Sequence, residues 1–206
     1  MNKNRNKKHS MYKKEDIMAI KIFIDQGHNP KDVNTGAEGN GLYEQDITYQ
    51  VGNYLFDLLD QNPNFEAKLS RTEPDQVLGT SNTSSLRSRV DSANNWGADY
   101  FISIHTNASV NPNIKGTEVY VYRLGTSAYY LGKNILNAIV NRMETENRGV
   151  KANPSLYVLR RTKMPAVLVE LAFISNYEDA MKLRDDPYGF AYAIYRGILR
   201  YFGLII

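Results

Sequence analysis

The 206-residue chain has no cysteine, which excludes a disulfide framework and any thiolate metal site. Its only histidines are His9, His28 and His105, so a bound metal would have to be held by imidazole and carboxylate. No run approaches the ~18 consecutive apolar residues of a membrane span. No apolar stretch follows the positively charged N-terminal segment, so that segment does not read as a secretory signal. Internal repeats and linkers are lacking too, and with 42% hydrophobic residues the chain can bury one substantial core.

The formal net charge of +3 is concentrated at one end. Lys3, Arg5, Lys7, Lys8, Lys13 and Lys14 stand there against Glu15 and Asp16, and the rest of the chain is slightly acidic. Residues 1–17 are expected to form a basic, disordered extension, with residues 18–206 as the single domain. A basic tail can touch nucleic acid or anionic wall polymers, but a solvated end is the simpler reading. Lys13-Lys14-Glu15-Asp16-Ile17 can be encoded by a ribosome-binding sequence, which makes Met18 the expected natural start.

Downstream, strand and helix signals alternate, the pattern of a mostly parallel sheet covered on both faces. Strands are expected over Ile20–Asp25, Phe65–Ser70, Tyr100–His105, Gly116–Tyr122, Leu156–Leu159 and Ala166–Leu171. The last is apolar on both faces, as a central parallel strand should be. Helical spacing of apolar residues predicts Glu44–Asp60, Ser84–Trp96 and Thr126–Met143. Two C-terminal helices follow, one capped by Ser175 or Asn176 and one over Pro187–Tyr201. The expected fold is α/β, a single domain with a twisted, mostly parallel sheet of about six strands and helices on both faces.

In such sheets ligands bind beyond the carboxyl ends of the strands, where side chains leave the sheet and meet in a crevice. His28, His105 and Glu170 all occupy such ends. A catalytic zinc takes three protein ligands and keeps a fourth position for water. After His28 a glycine-rich loop delivers Glu44 to the start of the first helix, so Glu44 is the leading third ligand, with Glu38 and Asp46 as weaker alternatives. A glutamate there is also favoured by the helix dipole alone. Glu170 ends a run of Ala166, Val167, Leu168 and Val169, where a carboxylate is costly to bury without a partner.

Four segments carry a resemblance: Asp25-Gln26-Gly27-His28, Gly41-Leu42-Tyr43-Glu44-Gln45-Asp46, Ser103-Ile104-His105-Thr106-Asn107-Ala108, and Pro165 through Asn176. Together, and in this order, they resemble the zinc-dependent N-acetylmuramoyl-L-alanine amidases of the amidase-3 family. Ser70-Arg71-Thr72, the helix bearing Arg87 and Arg89, and Asn147-Arg148-Gly149-Val150-Lys151 support the match. Two positions depart from the family pattern: Asn29-Pro30 follows the first histidine where glycines are usual, and Leu171-Ala172 follows Glu170 where glycine is frequent.

The resemblance implies that His28, Glu44 and His105 hold zinc and that Glu170 is the catalytic acid/base. It further implies hydrolysis of the amide between N-acetylmuramic acid and L-alanine in peptidoglycan. Stem peptides carry carboxylates, which arginine can clamp, so Arg71, Arg148, Arg160 and its neighbour Arg161 are candidate substrate contacts. Asn107, inside a family motif, joins them. Peptidoglycan is the expected partner, with no nucleic acid and no membrane span. The protein is expected to be made in the cytoplasm without a signal peptide and to reach the wall after lysis- or holin-dependent release, as a phage endolysin or a sporulation or autolytic lysin. The competing reading is a catalytically inactive wall-binding module of the same fold. Two histidines and a carboxylate could also form an iron(II) triad, but that triad favours a β jelly roll over alternating strands and helices.

Overall fold

Strand alternation decides which side chains face which helices, and here it divides the core in two. In the computed structural model, which describes residues 18–205, the elements run β1 (Ile20–Gln26), β2 (Glu38–Gly39), β3 (Leu42–Tyr43), α1 (Glu44–Asp60), β4 (Phe65–Leu69), α2 (Asn82–Trp96) and β5 (Tyr100–Asn107). They continue with β6 (Thr117–Val121), α3 (Ser127–Met143), β7 (Asn147–Ala152), α4 (Tyr157–Arg161), β8 (Ala166–Phe173), α5 (Tyr177–Asp185) and α6 (Pro187–Tyr201). The expected extension over residues 1–17 lies outside the described residues.

The six-stranded sheet has the order β4-β1-β5-β8-β6-β7. Strands β4, β1, β5 and β8 are parallel, while β6 runs antiparallel to β8 and parallel to β7. Successive strand residues face opposite sides of a sheet. Ile22, Ile24, Ile102, Ile104, Val167 and Val169 therefore point to one side, where they meet the buried faces of α1, α3 and α6. Phe23, Phe101, Ala166 and Leu168 point to the other and meet Val90 and Ala93 of α2 and Val158 and Leu159 of α4. The same alternation places Asp25, His105 and Glu170 on the α2/α4 side, just past this smaller core.

One expected strand is corrected. Residues 156–159 do not join the sheet: Tyr157–Arg161 is the short helix α4, with Val158 and Leu159 packed into the smaller core. A short apolar run fits a buried helical turn as well as a strand. The sixth strand is β7, whose sequence NRGVKA is half-buried or exposed throughout. Such an edge strand carries little apolar alternation to reveal it. Cap chemistry fixes other boundaries. Ser81 and Ser84 form a reciprocal capping box that starts α2 at Asn82. For α5 the cap is Asn176, whose side chain accepts from the Asp179 N–H.

Helices α3 and α6 approach closely at Gly197, where a Cβ would lie 2.5 Å from the Ile135 Cα. Backbone cannot swing aside as a side-chain tip can. Gly197→Ala is therefore expected to destabilise the fold by about 1–3 kcal/mol through overpacking, despite alanine's better helix propensity. Urea unfolding measures this, and a stabilised variant would contradict the packing.

Candidate metal and active site

Strand β1 delivers the first histidine through a backbone that needs outside support. Gly27 lies so close to β5 that a Cβ would fall 2.5 Å from the His105 Cε1 and 2.6 Å from the Ile104 carbonyl oxygen. Only glycine lets the two histidine-bearing segments converge. His28 itself has φ of 67°, the left-handed region that residues with a Cβ rarely adopt. Arg89 of α2 supplies the compensation. Its buried guanidinium donates to the carbonyls of Gln26 and His28, to Asn29 Oδ1 at 3.1 Å, and to Asp25 Oδ1 at 2.7 Å.

Asp25 is itself buried. Burial alone would raise its carboxyl, but the Arg89 charge and hydrogen bonds from Arg89 and Ser103 outweigh that and hold it below the usual range. Asn29 closes the loop: its amide donates to the Val33 and Leu78 carbonyls at 2.8 and 3.1 Å, and its oxygen accepts from the Leu78 N–H at 3.1 Å.

The loop then returns through the β2–β3 hairpin and its tight Asn40–Gly41 turn, which sets Glu44 at the first position of α1. Glu44 is buried, and both its oxygens are oriented by backbone: Oε2 accepts from the Ala37 N–H at 2.8 Å and Oε1 from the Thr106 N–H at 3.0 Å. Oε1 also lies 3.0 Å from His105 Nδ1 and 3.3 Å from His28 Nε2. Burial pushes the Glu44 carboxyl up, but its contacts with His105 and His28 hold it well below the carboxylate range. Of the alternatives, Glu38 and Asp46 are exposed, and neither joins the group of His28, Glu44 and His105, whose ligand atoms lie within 4.8 Å of one another.

This group fits a metal ion. The other nitrogen of His28, Nδ1, faces the Asn34 carbonyl at 3.1 Å. A carbonyl only accepts, so Nδ1 carries a proton, and in the neutral ring Nε2 turns its lone pair towards Glu44 Oε1. Two lone pairs facing each other repel unless a cation, a metal ion or a second ring proton, lies between them. A ligand histidine whose outer N–H is tied to a carbonyl is the usual support of a metal centre, and two imidazoles with one carboxylate form a donor set of catalytic zinc.

Glu170 stands beside the group, paired across β5 and β8 with His105. The residue is part-exposed, yet its Oε2 is buried with no hydrogen-bond partner among the described residues. Burial first, then the neighbouring charges of Glu44 and Glu118, raise its carboxyl well above the ordinary value. A carboxyl that holds its proton more tightly than a solvated one is suited to taking a proton and giving it back. A small apolar cavity of about 120 Å3, walled in part by Leu86, Leu156, Val158 and Leu168, opens beside His28 and His105.

The candidate substrate contacts separate on the structure. Asn107, at the end of β5, donates to Glu118 Oε1 at 2.7 Å, and Arg148 donates to Glu118 Oε2 at 3.1 Å, which puts both near Glu170. Arg71 is fully buried, stacked on Tyr49 and spent on the carbonyls of Gln45 and Pro74. It supports the α1 terminus that bears Glu44 and has no route to a substrate carboxylate. Arg160 donates to the Ser155 carbonyl at 3.1 Å and lines a separate concavity of about 620 Å3. That concavity adjoins Ala166, at the opposite end of β8 from Glu170. Arg161 lines a third, with α2. Buried Asp25 and Glu118 had no place among the expected site residues. The Asp25 position inside an apolar strand was the only local sign of either.

Residues 22–200 match the N-acetylmuramoyl-L-alanine amidase family Amidase_3. The chain is 39% identical over 171 residues to N-acetylmuramoyl-L-alanine amidase CwlM of Bacillus licheniformis, covering 82% of this chain and 62% of that protein. It is 36% identical over 171 residues to the sporulation-specific N-acetylmuramoyl-L-alanine amidase of Bacillus subtilis (strain 168), with the same coverage of 82% and 62%. It thus spans less than two thirds of these two relatives. The catalytic domain of CwlV, an N-acetylmuramoyl-L-alanine amidase from Bacillus (Paenibacillus) polymyxa var. colistinus, superposes with a TM-score of 0.79 at 30% identity, covering 90% of this chain and 99% of that domain.

Proposed function

The chain belongs to the N-acetylmuramoyl-L-alanine amidase family, and on that premise we propose that it hydrolyses the amide between the lactyl carbonyl of N-acetylmuramic acid and L-alanine in peptidoglycan. In this reading His28, Glu44 and His105 would hold zinc, and Glu170 would act as the general acid/base. The observation that carries this reading is the juxtaposition of a tight His-Glu-His group with the unpartnered, raised carboxyl of Glu170.

Zinc, when bound, polarises an amide carbonyl and acidifies water. The protein's own groups supply the rest. Glu44, already ionised, brings the negative charge the cation needs. Glu170 accepts the proton released as water attacks and then delivers it to the alanine nitrogen, which leaves poorly as an anion. Its burial helps in both steps, because proton affinity well above that of a solvated carboxylate suits a group that must carry the proton between them. Arg89 and Asn29 keep the His28 loop closed, so the ligands need not reorganise.

The substrate lies in the wall, and the reading has the enzyme act there after release by lysis, in sporulation or phage infection. Among the described residues, no helix is long and apolar enough to cross a membrane.

The test uses purified sacculi. Soluble peptide with newly exposed L-alanine amines should appear, cease on chelation and return with added zinc. His105→Ala should lose both bound zinc, by elemental analysis, and amine release. New reducing sugar ends in place of amines would replace the amidase reading with a glycosidase one. Wall binding without chelator-sensitive release would favour an inactive module.

A further inference from the structure

Read across the sheet, the order of the strands is also an order of chemistry. His28 follows β1, His105 stands on β5, Glu170 on β8, Glu118 on β6, and Arg148 and Lys151 on β7. Glu118 is paired in register with Glu170. It is buried, and four donors fill its carboxylate: Asn107 Nδ2 and the Tyr120 hydroxyl, each 2.7 Å from Oε1, and Arg148 Nε at 3.1 Å and Lys151 Nζ on Oε2. Burial raises the Glu118 carboxyl, but bonds from Lys151, Tyr120 and Arg148 override this and keep it low. One fixed negative charge therefore gathers two positive ones.

Those two cations are held but not hidden. The Arg148 guanidinium sits 5.1 Å from the Phe173 ring centre and the Lys151 ammonium 6.0 Å from that of Tyr120. Their side chains remain 27% and 41% exposed. The Lys151 ammonium has three N–H donors, and Glu118 engages one of them. Arg148 Nη1 also lies 3.9 Å from the exposed Glu146 Oε1, so the cluster is charge-balanced, and what it offers is a preorganised pair of cations with unused N–H donors rather than loose surface lysines.

We propose that Lys151 and Arg148, aligned by Glu118, form a subsite for a free carboxylate on the peptide side of the substrate, one or two residues beyond the scissile amide. The proposal rests on the amidase reading above. If the carbonyl lies at the His-Glu-His group and the nitrogen at Glu170, the peptide continues past β8 towards β6 and β7. Adjacent strands are ~4.8 Å apart and an extended residue spans ~3.3 Å, so the cations lie within the reach of the residue after L-alanine. Glu118 is a positioning residue here: it holds the two cations and touches no substrate atom.

The experiment uses two soluble muramyl peptides that differ only at the residue following L-alanine, which bears either a free carboxylate or the corresponding carboxamide. Amine release gives kcat/KM for each. The wild-type protein should favour the carboxylate by about tenfold or more, as a charge-assisted contact implies. Lys151→Met should collapse the ratio towards unity, and Lys151→Arg, which keeps the charge, should largely restore it. Added salt should weaken the wild-type preference. A wild-type ratio near one, or a ratio unaltered in Lys151→Met, overturns the subsite while leaving the amidase reading intact. No amine from either peptide overturns both.

Discussion

Glu170→Gln is expected to lower kcat for amine release by about 10²–10⁴-fold, the range contributed by a positioned acid/base group, while leaving zinc stoichiometry unchanged. Glutamine preserves shape and volume but cannot carry a proton from water to the leaving nitrogen. The ligand group should stay intact in this variant because Glu44 is anchored by the Ala37 and Thr106 N–H groups, His28 by the Asn34 carbonyl and His105 by Glu44, not by Glu170. A variant that kept near-normal turnover would remove Glu170 from the mechanism, and one that lost zinc would make it a structural support of the metal centre.

The same substitution carries a second expectation with a definite sign. Burial, then Glu44 and Glu118, make the folded protein hold the Glu170 proton more tightly than the unfolded chain does. Above the ordinary carboxyl value of ~4.3, the unfolded chain gives up its proton first. This group therefore lowers stability progressively as pH rises towards its folded pKa. Metal-free Glu170→Gln should melt at a higher temperature than the metal-free wild-type protein at pH 7, and the gap should close near pH 4. A gap that is absent at pH 7 or widens in acid would contradict the environment assigned to this carboxyl. Activity and stability are thus opposed at one atom pair, as expected where a fold keeps an unpartnered polar group for chemistry.

The parts of this arrangement visible in the chain were those written in local periodicity. Helices α1 and α6 end where their apolar spacing and punctuation end, and the alternation of β5 and β8 puts His105 and Glu170 on one face, although β5 runs on to Asn107 and β8 to Phe173, while His28 lies just beyond β1. The edge strand β7 was not visible, because NRGVKA packs too little apolar surface to alternate. Leu156–Leu159 suits a strand as well as the helical turn it forms, since four residues cannot distinguish a period of two from one of 3.6. The roles of the arginines were the least accessible. Arg71, Arg89, Arg148 and Arg160 look alike in sequence, yet one braces α1, one pins the His28 loop, one joins the Glu118 cluster and one faces a different concavity. Which carboxylate or carbonyl a guanidinium finds is decided by elements dozens of residues away. Glu118 was hidden for the same reason, since its four donors come from β5, β6 and β7.

Removal of the Arg89 guanidinium should produce the largest combined loss of stability and metal binding outside the ligands. Arg89→Met leaves Asp25 buried without its counter-ion, and breaking a buried pair in this way costs about 3–5 kcal/mol. It also strips donors from the Gln26 and His28 carbonyls, so the left-handed His28 loses the contacts that hold it and zinc affinity should fall. Asp25→Asn/Arg89→Met separates the two effects. Taking away the stranded charge should recover part of the stability, whereas zinc affinity should stay low because the carbonyls remain undonated. The pH dependence should reverse as well. In the wild-type protein the Asp25 carboxyl is held low, so its contribution is complete above ~3.8 and is lost as pH falls through the folded value. In Arg89→Met the largest opposing contributions are gone and only the Ser103 hydrogen bond and the nearby His105 still work against burial, so the carboxyl should rise, and acid should relieve the variant and narrow its deficit. Urea unfolding of the metal-free proteins at pH 7 and pH 4, with zinc titration of each at pH 7, measures both quantities. Wild-type zinc affinity in either variant would show that the His28 loop holds its shape without Arg89, and a deficit that grows in acid would show that Asp25 is not the charge left behind.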